Sequence, residues 1–231
     1  MIAGNITHIR ERIAAAAQRT GRTPTDITLV AVTKTYPATD ALEAVRAGAL
    51  DLGENRVQEA IPKIAELSQL DPVTTPRWHL IGHLQSNKAD IASQCFDWVQ
   101  TVDRMKLVDA LAAHRPAARG ALNVLVQVNI DDESSKHGCV PSEVPALVAA
   151  IRAAPSLRLR GLMAIPAPHA EPERRRDAFA RMRRLFDTVA GQDPAIDTLS
   201  MGMSDDLELA IAEGATMVRV GSALFGARPA P

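Results

Sequence analysis

Residues 27–52 read ITLVAVTKTYPATDALEAVRAGALDL, and this stretch sets the fold. The run Ile27–Thr33 is short, apolar and rich in β-branched residues, as a buried strand requires. Pro37 keeps Tyr36 out of helical geometry, so a new element can start only after it. Residues 38–48 then carry a helical period, and Gly48 can take the left-handed position just past a helix end. A second apolar run, Ala49–Leu52, follows at once. The unit is strand, helix, strand.

The same alternation continues through the chain. Further strands are expected at Trp78–Ile81, Trp98–Thr101, Leu122–Ile130, Arg158–Ala164, Thr198–Met201 and Met217–Val220. Helices are expected near 56–69, 85–94, 104–114, 141–153, 171–190 and 204–213, after an opening helix near 5–20. Asp103 and Ser204 are candidate N-caps, and Gly214 a second helix-ending glycine. Parallel neighbours need a crossover, which helices supply, so the pattern implies a parallel α/β sheet. Eight such units favour a single closed (β/α)8 TIM barrel with an extra N-terminal helix over an open doubly wound sheet. No low-complexity linker interrupts the sequence, so residues 1–231 are expected to form one domain, with 228–231 as a frayed tail.

Composition narrows the function classes. Of 231 residues, 46% are hydrophobic, 23% charged and only 3% aromatic, so the core is built from Ala, Val, Leu and Ile. Few rings argue against base-stacking nucleic-acid modules, and a net charge of -1 gives no general attraction to nucleic acid or membrane. Cys95 and Cys139 read as free thiols of a reducing compartment. The first twenty residues lack the apolar core of a signal peptide, and no run approaches the roughly 20 apolar residues of a membrane span. A cytoplasmic location is expected.

In a barrel of this kind, ligand groups come from the C-terminal strand ends. Lys34 ends the first strand, at the lip of the core, where desolvation favours a neutral, nucleophilic amine. On position alone, a lysine that simply reaches water accounts for it first. Two later loops shift the balance. Ser200-Met201-Gly202-Met203-Ser204 and Gly221-Ser222 each end a strand and open a helical turn, and loops after strands seven and eight of barrels often hold phosphate. Strand parity sets Arg219 opposite Val218 and Val220, inside the barrel mouth, where it needs a carboxylate, a ligand phosphate or a ring nitrogen as partner.

Other residues carry weaker signals. Lysine is scarce: Lys63 and Lys106 sit in helical patterns and read as solvated, Lys88 as a loop or anion contact, and Lys136 as a ligand-side loop residue. His79 and His83 lack a third ligand at zinc spacing, so His79 reads as a strand histidine with a satisfied ring. The pair His137 and Cys139 does not make a nucleophile–base site. The arginines of 174–184 read as a solvated helix face.

With those residues in hand, the sequence resembles the pyridoxal phosphate homeostasis proteins, the YggS/PROSC family. The matching segments are Ala31–Thr35, Gly53–Glu59, His79–Lys88, Gly161–Pro166, Leu199–Asp206, and Val218–Gly221 with Phe225-Gly226, in family order. The resemblance implies an alanine racemase N-terminal-type barrel holding pyridoxal 5′-phosphate (PLP) on Lys34 as an internal aldimine. It implies a phosphate among Ser200, Gly202, Gly221 and Ser222, with Asn55, Met163, Met203 and Arg219 lining the pocket. Lys136 matches a family lysine associated with cofactor transfer. Relatives that racemise amino acids carry a second β domain, for which this sequence leaves no residues, and an arginine facing the pyridine nitrogen would weaken the electron sink.

The resemblance therefore implies a PLP-binding protein of intracellular PLP homeostasis and delivery, without substantial catalysis. Its expected partners are PLP and, transiently, PLP-dependent apo-enzymes, for a monomer with no nucleic-acid or membrane partner and no metal. A weak single-domain PLP-dependent racemase or lyase is the first alternative, and a sugar- or nucleotide-phosphate barrel enzyme using Lys34 the second. Tyr36 stands where some members carry a further lysine, and Ala227–Pro231 lacks terminal lysines, so the resemblance does not extend to a secondary cofactor site that uses them.

Overall fold

The computed structural model describes residues 1–133, 136–167, 171–191 and 193–226. Its eight strands are β1 (Thr28–Val32), β2 (Asp51–Glu54), β3 (Arg77–Leu80), β4 (Trp98–Val102), β5 (Leu122–Gln127), β6 (Leu157–Met163), β7 (Thr198–Ser200) and β8 (Met217–Val220). They pair in chain order, all parallel, into a closed barrel. The seam closes between the first and last strands, with Thr28 opposite Met217 and Ala31 opposite Val220. The TIM barrel expected from the sequence is therefore the fold. The tail at 228–231 lies outside the described residues.

The helices are α1 (Ile2–Arg19), α2 (Ala38–Arg46), α3 (Val57–Leu70), α4 (Ala89–Cys95), α5 (Met105–His114), α6 (Val144–Ala153), α7 (Pro172–Ala190), α8 (Leu207–Ala212) and α9 (Ser222–Phe225). Because α9 is a single turn, it cannot cover the seam alone. The extra helix α1 does so, burying Ile2, Ile6, Ile9 and Ile13 against α2, α8 and α9. The 3–4 spacing of those isoleucines puts them on one face. Arg12 pins the helix to α8 through Glu208, at 2.7 and 3.0 Å.

Strand parity divides the interior into two populations. Outward residues such as Ala31, Leu52, Leu80, Val99, Val218 and Val220 pack against the helices. Inward residues form a small apolar layer of Val30, Trp98, Leu125, Met163 and Met217. Several other inward positions are polar: Asp51, His79, Gln100, Gln127, Ser200 and Arg219 are all buried.

Several local expectations hold, and several do not. Gly48 and Gly214 follow α2 and α8 with φ of 88° and 94°, the left-handed geometry that glycine adopts without strain. Asp103 is not an N-cap, since its carboxylate is taken up by Arg104. Nor is Ser204, because α8 starts later and Asp206 receives the Met203 amide. Lys63 is not solvated. It is buried, donating to the Thr33 carbonyl at 2.6 Å and to Glu54 Oε1 at 2.5 Å. That pairing lets a carboxylate sit buried between the end of β2 and α3.

Candidate functional site

The C-terminal mouth of the barrel holds a cavity of about 220 Å³. This is below the roughly 300–1,000 Å³ of drug-sized ligand sites, so it suits a small ligand. Lys34 enters from the turn after β1 and is half-buried. The next residue, Thr35, has φ of 69°, a strained conformation for a β-branched side chain. Such strain persists where surrounding contacts over-determine it. Here the Thr33 carbonyl is held by Lys63, and the Thr33 hydroxyl donates to Glu54 Oε1 at 2.6 Å.

Around Lys34 stand Asn55 from the turn after β2, Ile81 after β3, Ile165 after β6, Met203, Ser204 and Asp205 after β7, and Gly221 and Ser222 after β8. Asn55 rests on Gly82, where any Cβ would fall 2.2 Å from the Asn55 carbonyl oxygen. Tyr36 closes one side, with its hydroxyl donating to the Gly226 carbonyl at 2.8 Å and its ring 4.8 Å from Phe225. Two hydroxyls face each other, Ser222 Oγ lying 3.4 Å from Ser204 Oγ.

Arg219 also lines the cavity, although 97% of its surface is covered (3% exposed). Its Nη1 donates to Ser200 Oγ at 2.6 Å and its Nη2 to the Ala164 carbonyl at 2.9 Å. Burial lowers its pKa to about 10, with Asp206 acting in the opposite direction. Among the described residues no carboxylate forms a salt bridge with it. Asp206 is itself pushed up by burial, against the amide bond from Met203.

A larger cavity, about 700 Å³, opens at the opposite end between α1 and the first strands. It holds no lysine, and the N-terminal face of such barrels serves stability. Geometry favours the smaller one.

The chain matches the alanine racemase N-terminal domain family over residues 5–229. It is 50% identical to the pyridoxal phosphate homeostasis protein of Escherichia coli K12 over 227 residues, covering 98% of this chain and 97% of that one. The chain belongs to the pyridoxal phosphate homeostasis protein family. The Pseudomonas aeruginosa PAO1 member is 52% identical over 98% of this chain and 96% of its own length. Among solved structures, PipY of Synechococcus elongatus PCC7942 with PLP bound superposes with a TM-score of 0.80 at 35% identity, covering 98% of this chain and 100% of that one.

Of the family positions inferred from sequence, the structure brings Lys34, Asn55, Met203, Arg219, Gly221 and Ser222 into one cavity. Three others lie behind its wall. Met163 belongs to the inner apolar layer against which Ile165 packs. Ser200 is fully buried and bonded to Gln100 and Arg219. Gly202 accepts the Arg219 amide through its carbonyl at 3.0 Å. Lys136 is half-buried in the loop after β5, outside the cavity lining, beside the stacked rings of His83 and His137.

Sequence reasoning missed Val32, Tyr36, Ile81, Ile165 and Asp205 as lining residues, and named Ser204 only as part of the loop after β7. The sole tyrosine of the chain, two residues beyond Lys34, was a usable signal. His79 has the satisfied ring expected of it, between Asp51 and Gln100. Among the described residues no cluster could hold a metal ion, and no helix is long and apolar enough to cross a membrane.

Proposed function

We propose that this chain binds pyridoxal 5′-phosphate in the Lys34 cavity and serves PLP homeostasis, holding the cofactor and releasing it to dependent apo-enzymes without substantial turnover. The observation that carries this reading is that Lys34 and Arg219, an amine and a buried guanidinium that no carboxylate of the described residues bridges, share one small cavity. The donor set fits a flat anionic aldehyde: one amine, one guanidinium, two facing hydroxyls and the apolar sides of Ile81, Ile165 and Met203. The family supports it too, since the E. coli relative carries the homeostasis name and PipY was solved with PLP bound.

When bound, the cofactor supplies an electrophilic aldehyde carbon. Lys34 supplies the amine that attaches to it covalently, from a turn whose backbone Lys63 anchors at Thr33. Ser204, Gly221 and Ser222 would hold the phosphate, with Ser200 and Gly202 as the layer that supports them. Arg219 would lie toward the ring; because it donates and does not give up a proton, a ring nitrogen against it would stay unprotonated. That arrangement lowers the electron demand of the ring and disfavours carbanion chemistry. The titratable side chains among the described lining residues are Lys34, Tyr36, Asp205 and Arg219, and the tyrosine hydroxyl already donates to Gly226. Asn55 and Met163 support the ring side, and Lys136 stands on the exit side as an accessory amine.

On this reading residues 1–231 act as one domain, as a cytoplasmic monomer without nucleic-acid or membrane partners. The test is a titration of purified protein with PLP, followed by borohydride reduction and peptide mapping. A reduced adduct on Lys34, lost in Lys34→Ala, is expected. Absence of a PLP-dependent absorption band, or an adduct on another peptide of the unsubstituted protein, would overturn the binding site. Sustained racemisation of common amino acids that disappears in Lys34→Ala would overturn the non-catalytic half.

A further inference from the structure

Inside the barrel, five side chains form one unbroken hydrogen-bonded line from the cavity to the opposite mouth. Arg219 Nη1 donates to Ser200 Oγ at 2.6 Å, and Ser200 Oγ donates to Gln100 Oε1 at 2.7 Å. Gln100 Nε2 lies 3.0 Å from His79 Nδ1, and His79 Nε2 lies 2.9 Å from Asp51 Oδ1. Arg77 closes the line from the far side, gripping Asp51 with two bonds of 2.7 and 2.6 Å.

The direction of every bond follows from its ends. Arg219 can only donate and the Asp51 carboxylate can only accept, so a neutral His79 carries its proton on Nε2, its Nδ1 accepts from the Gln100 amide, and the Ser200 hydrogen goes to Gln100 Oε1. The Gln100 amide nitrogen also donates to Met217 Sδ at 3.2 Å. All the dipoles run one way, from a cation to an anion. In a buried setting such aligned bonds polarise one another. Ser200, Gln100 and His79 are each fully buried, so water does not compete for these groups.

We infer that Ser200, Gln100, His79 and Asp51 are positioning residues for Arg219, fixing the guanidinium plane that faces the bound ring and linking its grip to the Asp51–Arg77 pair at the opposite mouth. This rests on the PLP-binding reading above. The line has a built-in polarity, because turning the Gln100 amide over would take the acceptor away from the Ser200 hydrogen and set two acceptors against each other at His79.

The test uses the full chain with Ser200→Ala, Gln100→Leu and the isosteric Gln100→Glu, which keeps the side-chain volume if the leucine fails to fold. Two readouts are taken. Side-chain 15N shifts of His79 in cofactor-free protein should report a single neutral Nε2–H form, and Gln100→Glu should force a proton onto Nδ1 as well. Titration with PLP should show affinity reduced about tenfold in Ser200→Ala and Gln100→Leu, the usual order for losing a bond to a charged group, with an altered absorption maximum. The Lys34 adduct should still trap in both. A His79 proton on Nδ1 in the unsubstituted protein, or affinities and spectra within twofold of it in the folded variants, would overturn the inference. If no adduct forms on Lys34 in the unsubstituted protein, the binding reading falls instead, and the His79 tautomer still decides the direction of the line.

Discussion

Lys63 Nζ sits 2.5 Å from Glu54 Oε1 between α3 and β2, and the second carboxylate oxygen of Glu54 is buried without a hydrogen-bond partner among the described residues. The pair is the fastening between α3 and the strand ends that present Lys34 and Asn55. Removing one partner of a buried pair leaves a charge that nothing balances. Lys63→Met is therefore expected to cost about 3–5 kcal/mol in urea unfolding. The double variant Lys63→Met with Glu54→Leu should recover much of that loss, and a double variant as unstable as the single would show that the pair itself stabilises the fold.

Asp51 sets an acid limit. Burial alone would raise its carboxyl, but the bonds from Arg77 and His79 bring it from the usual 3.8 down to about 2. A depressed acid contributes stability that is full above the unfolded pKa and is lost as pH falls toward the folded one. The contribution is about 2 kcal/mol, present at neutral pH and disappearing between roughly pH 4 and pH 2. Unfolding free energies across that window should fall more shallowly in Asp51→Asn than in the unsubstituted protein.

Gly82 predicts a link between packing and binding. A Cβ there would meet the Asn55 carbonyl oxygen at 2.2 Å and its Cα at 2.7 Å, which is backbone and cannot swing aside. Gly82→Ala should cost about 1–3 kcal/mol of stability by overpacking. It should also weaken PLP binding in a fluorescence titration, because Asn55 lines the cavity.

The thiols should report their surroundings. Burial pushes the Cys139 thiol up to about 12, and raises Cys95, which is only half-buried, by a lesser cause of the same kind. At pH 8 an aromatic disulfide reagent is expected to titrate Cys95 slowly and Cys139 only after guanidinium is added. Rapid release of two equivalents from native protein would contradict the packing around Cys139.

Much of this was legible in the sequence, and the reasons are physical. The eight strands are short β-branched runs whose two buried faces leave little choice of register, so β8 was located to the residue at Met217–Val220. Parity placed Arg219 inward because it lies between two valines of one strand. Parity fails once a strand ends, and β7 is only three residues long. For that reason Ser200, Gly202 and Ser204 could not be sorted into wall and lining, and Ser204 proved to be the lining residue. Lys63 misled because a lysine in a helical period normally points to water. Only the tertiary placement of Glu54 under α3 reverses that preference.

The closure of the barrel by α1 has a consequence for biosynthesis. Ile2, Ile6, Ile9 and Ile13 leave the ribosome long before two of the helices that cover them, α8 and α9. β1 likewise waits for β8 before its second neighbour exists. A growing chain thus carries an uncovered isoleucine stripe for most of its translation, and contacts of such long sequence separation form slowly. The seam that closes the finished barrel leaves the nascent chain with an apolar stripe awaiting its distant partners.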